Sequence, residues 1–92
     1  MSDRADRYAA RLDTELQGFT GDRARLWFLR NELVNWEHRK ARFELAVNQE
    51  DFDPGDITIW DFALTIAEIN VRLGRVESAM AKSAMQAPEV VT

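Results

Sequence analysis

Ninety-two residues make one small domain, and a chain of this size buries only roughly 60 to 65% of the surface its unfolded form exposes, so its stability margin is thin. With 46% hydrophobic residues the composition is globular, and the lack of cysteine excludes disulfides, thiolate zinc sites and thiol nucleophiles. A formal net charge of -4 argues against general nucleic-acid binding; no apolar run approaches the roughly 20 residues that span a bilayer, and MSDRADRYAARLDTEL lacks a signal-peptide core, so a cytoplasmic protein is expected.

The first predicted element is a short helix over about residues 2–17. Ser2 is placed as its cap and Asp3 and Asp6 fall in its first turn, where negative charge complements the free N-H groups. Its apolar face, Ala5, Tyr8, Ala9, Leu12 and Leu16, is narrow and rich in alanine, which predicts weak docking and fraying at the start. Gly18 is the expected stop, with Phe19, Thr20 and Ala24 suited to the staple, cap and fourth position of the next helix.

That second helix is predicted over 22–48. Leu26, Leu29, Leu33, Trp36, Lys40, Phe43 and Val47 alternate steps of three and four, which places them along one side, with Lys40 the polar misfit. Residues 58–85 carry the stronger stripe, Ile59, Phe62, Ile66, Ile69, Leu73, Val76 and Met80. Two such stripes joined by a short loop predict an antiparallel hairpin, with Val47 opposite Ile59, Phe43 opposite Phe62 and Leu29 opposite Val76. The fold class expected is therefore all-α: a short leading helix plus a long helical hairpin, one domain over 1–85, with 86–92 a flexible tail. Gly74 marks a close approach between helices, or is a tolerated flaw that costs about 1 kcal/mol relative to alanine, or ends the third helix near Leu73.

The acid-rich connection NQEDFDPGDITIWDF reads as a turn rather than a metal site. Pro54 and Gly55 suit the second and third places of a type II turn over Asp53–Asp56, and Thr58 with Asp61 matches a capping box opening the third helix. A calcium loop counted from Asp51 would need Gly at its sixth place and Glu at its twelfth, where this chain has Asp56 and Phe62. No metal or other cofactor is expected.

Candidate functional residues follow from what the hairpin leaves over. On the back of the third helix, Asp61, Thr65, Glu68, Arg72 and Arg75 occupy one narrow polar line, while Trp60, Ala63, Leu64, Ala67 and Val71 widen its apolar arc beyond the seam. The second helix has its own surplus in Trp27, Val34, Ala41 and Leu45. The expected partner or dimer interface comprises Trp27, Val34, Trp60, Leu64, Ala67 and Val71, because tryptophan and exposed apolar arcs dominate protein contacts. His38, the single histidine, has no nucleophile placed with it, and magnesium-holding Glu-x-x-Glu pairs on neighbouring helices are absent. The expected function is a non-catalytic helical interaction module, an adaptor or regulator, that binds itself as a homodimer and another protein, and neither nucleic acid nor membrane. The alternative is a small acidic inhibitor that blocks a basic protein through the hairpin tip, Glu50, Asp51, Asp53 and Asp56.

Overall fold

The structure, a computed structural model, describes residues 2–86; the expected tail beyond Gln86 lies outside them. Three helices account for the fold: α1 Asp3–Gln17, α2 Asp22–Ala46 and α3 Ile59–Gln86. The seam between α2 and α3 forms in the predicted register. Phe43 and Phe62 pack with ring centroids 4.8 Å apart, and Leu29, Ile69, Leu73 and Val76 share one buried cluster with Tyr8 and Leu12 of α1. Lys40 resolves its misfit on its own helix, donating to Glu44 at 2.8 Å. Two dimensions of the molecule are 21 and 20 Å, about two helix diameters, so every helix keeps one side in water.

Helix α3 continues through Gly74, and a Cβ built there would meet nothing within 4 Å. The glycine is a tolerated flaw in this chain rather than a point of helix contact. The first connection differs from expectation as well. Gly21, at φ 91°, is the cap position of α2 and has no side-chain cap, so Thr20 does not fill that place. Arg25 takes over the sealing work: its guanidinium donates to the Leu16 carbonyl at 3.2 Å, which also accepts the Phe19 N-H, and to the Phe19 carbonyl at 2.9 Å just past the end of α1. In the second connection, Asp53 accepts the Gly55 N-H through its side chain at 2.9 Å. The backbone turn consequently moves on by one residue, closing from the Ile57 N-H to the Pro54 carbonyl, with Gly55 at φ 64° in its second place instead of its third. Asp61 reaches back to the Thr58 N-H at 2.8 Å, as the capping box requires.

Expectation fails most on how firmly α1 docks. The short helix is tied down along its whole length. Ser2 accepts the Ala5 N-H at 3.2 Å and donates its hydroxyl to Asp61 at the start of α3, Arg4 pairs with Asp56, Tyr8 donates to Glu32 of α2 at 2.7 Å, and Asp13 receives Arg72 of α3. Ala5, Tyr8, Ala9 and Leu12 are all buried. The alanines that made this face look weak permit close approach, and polar links between distant residues supply the rest.

These links set the response to pH. Hydrogen bonding from Arg72 holds the Asp13 carboxyl below the usual carboxylate range, and the Ser2 hydroxyl does the same for Asp61. Lowered folded-state pKa values contribute stability that is complete above the unfolded carboxylate range, near pH 4, and is lost as pH falls through the folded values. Burial, reinforced by the bond to Glu32, pushes the Tyr8 phenol up, so its contribution is complete below about pH 10 and is lost as pH rises beyond it. Urea midpoints are expected to hold level from about pH 5 to 9 and to drop on both sides. Asp13→Asn should soften the acid limb and Tyr8→Phe the alkaline one; limbs unchanged in these variants would remove the assignment.

Candidate interaction surfaces

Helix α1 docks on the polar line of α3. Thr65 is 2% exposed and donates to the Asp61 carbonyl at 2.7 Å, and Arg72 is 8% exposed. The polar line is thus largely covered, and part of the apolar arc faces outward. The reason is chemical complementarity: Asp13 of α1 and its cap residue Ser2 lie at the separation needed to meet Arg72 and Asp61, while the large apolar residues of α1, Tyr8 and Leu12, enter the core cluster with Leu29 and Ile69.

On the side of α3 away from α2, Trp60, Leu64, Ala67, Val71, Gly74 and Ser78 follow one another at steps of four and three, with no charged member. Trp60 is 69% exposed, Ala67, Val71, Gly74 and Ser78 are exposed, and Leu64 is half-buried beneath them. At 1.5 Å per residue this row is roughly 27 Å long. The outer side of α2 carries a second, sparser row, Trp27, Val34 and Leu45, all exposed, interrupted by Asn31 and His38. In the antiparallel register the two rows lie on the outer sides of different helices, with Trp27 and Trp60 toward opposite ends. The six residues expected to share one interface therefore divide into two from α2 and four from α3.

The acidic tip is partly committed to the fold. Asp56 is paired with Arg4, and Asp53 holds the turn through the Gly55 N-H, while Glu50 and Asp51 remain exposed. Among the described residues no group of three or more histidine or carboxylate side chains is placed to hold a metal ion, and no helix is long and apolar enough to cross a membrane.

A cleft absent from the sequence reading opens between α1 and α2 over the start of α3, with a volume of about 590 Å³. Arg4, Arg7 and Arg11 of α1 form one wall, Arg39 of α2 stands across from them, and Trp36 and Phe62 line the interior. The Arg11 guanidinium lies 5.5 Å from the Tyr8 ring centre and that of Arg39 lies 4.9 Å from Trp36. The signal for the wall was present in the sequence, since residues 4, 7 and 11 follow one helix face. Its meeting with Arg39 required the tertiary placement of α1. No protein-family model, curated protein or solved structure matches this chain.

Proposed function

We propose that the protein acts by presenting surface: a non-catalytic helical interaction module that self-associates through the outer side of α3 and engages another protein through the surface that remains. The observation that carries this reading is the uncharged row from Trp60 to Ser78, left uncovered because α1 is held on the neighbouring polar line, about 100° further round α3. Burial of such a row stabilises by roughly 25 cal/mol per Å² of apolar area, and a small chain with few buried side chains has most to gain from it. Antiparallel pairing of two α3 helices would put four long helices side by side, with α1 outside. The acidic-tip alternative is not adopted, because two of its four carboxylates already have partners within the chain.

Light scattering over a concentration series tests it. The parent chain is expected at twice the monomer mass at high concentration, and Trp60→Glu, a surface change on the isolated subunit, should leave helicity intact while shifting the mass to that of the 10.6 kDa monomer. A parent that stays monomeric throughout, or a Trp60→Glu variant of unchanged dimer mass, would refute the placement.

A further inference from the structure

The arginine-walled cleft has no role in the reading above, and its composition runs against that of the chain. In a protein of net charge -4, four of twelve basic residues converge on one opening. Among the described residues Arg7, Arg11 and Arg39 form no ion pair, whereas Arg4 is neutralised by Asp56. Cations gathered at one opening repel one another to the extent that salt leaves them unscreened, and an anion bound among them relieves that repulsion. Asp61, the carboxylate on the floor, has its two oxygens engaged by the Ser2 hydroxyl and the Thr58 N-H, so its acceptors are turned to the fold.

We infer that this cleft binds a nucleoside diphosphate or a close chemical analogue. Three features select that class. Guanidinium groups pair bidentately with phosphate oxygens, and Arg7 and Arg11, one turn apart on α1, lie about 6 Å apart along the axis, near enough to converge on one ligand. Three unpaired cations match a diphosphate ester, whose inner group carries one charge and whose terminal group carries about two at neutral pH. A bare inorganic anion leaves most of 590 Å³ empty, and the remaining lining, Trp36, Phe62 and Ile57, supplies apolar surface that a nucleoside covers and an inorganic anion does not. Stacking on Tyr8 and Trp36 orders the Arg11 and Arg39 guanidiniums before binding, which reduces the entropy lost on capture.

The test uses the full chain with Trp27→Phe and Trp60→Phe, so that emission comes from Trp36 alone. Adenosine diphosphate, pyrophosphate and adenosine are titrated at low salt, with calorimetry on the unmodified chain as a second readout. Saturable binding of adenosine diphosphate is expected, at least about fivefold tighter than pyrophosphate, with no saturation by adenosine. Arg7→Gln and Arg39→Gln should each weaken it about tenfold, as loss of one charged hydrogen-bonding partner does, while Arg23→Gln, an exposed arginine outside the cleft, should change it less than twofold. No saturable binding by either readout overturns the proposal, as does an equal loss from Arg23→Gln. Pyrophosphate binding as tightly as the nucleotide overturns the nucleoside class, and adenosine saturating alone overturns the role of the arginines. Circular dichroism checks that each variant is helical; the three arginines are exposed, so their replacement leaves the core intact.

Discussion

Arg72→Ala is expected to destabilise the fold by about 2 to 3 kcal/mol, and to do so chiefly by releasing α1. Its guanidinium donates Nε and one terminal nitrogen to the two Asp13 oxygens at 2.7 and 2.9 Å, and the other terminal nitrogen to the Glu68 carboxylate at 2.8 Å and carbonyl at 2.9 Å. Losing one partner of a fully buried pair costs on the order of 3 to 5 kcal/mol. Here the Asp13 side chain is 54% exposed and regains water, so the lower figure applies. Arg72→Met keeps the packed stem and separates packing from charge. A cycle with Asp13→Ala should return a coupling of about 1 to 2 kcal/mol, and hydrogen exchange should show α1 losing protection before the hairpin does. A variant within about 0.5 kcal/mol of the parent in urea would mean that this bridge holds nothing.

Ile69→Ala should have the largest effect on stability, about 3 to 5 kcal/mol. Ile69 is fully buried where all three helices meet, among Leu12, Leu29, Leu73 and Val76. Truncation removes its transfer free energy and leaves a cavity that α1 and α2, already pinned by Arg72 and the aromatic seam, collapse into only partly. At roughly 0.05 to 0.15 kcal/mol per residue the whole domain is worth about 5 to 14 kcal/mol, so the variant forfeits a large share and should be partly unfolded near 37 °C. Ile69→Val, which removes one methylene, should cost about 1 kcal/mol. Val71→Ala, two residues on and turned outward, should change monomer stability by less than about 0.5 kcal/mol, and a comparable loss there would show that the facing of α3 is misassigned.

The contrast between these neighbours marks how far sequence reasoning reaches. Spacing by three and four located the helices to within two residues at each end, because the period of a helix is a property of the backbone and local caps such as Ser2 and Asp61 act within one turn. It also set the register of the α2 and α3 seam, where large apolar side chains have few ways to interlock. Turn chemistry was legible only in part. Asp53 and Gly55 each played a turn role, but the Asp53 side chain took the Gly55 N-H and the backbone turn closed one residue later, from the Ile57 N-H to the Pro54 carbonyl.

The sequence by itself determined three helices, a hairpin and a surplus of apolar surface, since each depends on residues close together in the chain. Only the tertiary structure decided which side of α3 the short helix would cover. That choice turned on polar pairs 59 residues apart, the ion pair of Arg72 with Asp13 and the hydrogen bond of Ser2 with Asp61, whose meeting has no local signature. The same docking brought three arginines of α1 opposite Arg39 and left the row from Trp60 to Ser78 bare, because a helix that satisfies a buried guanidinium on one side of its neighbour cannot also lie on the other.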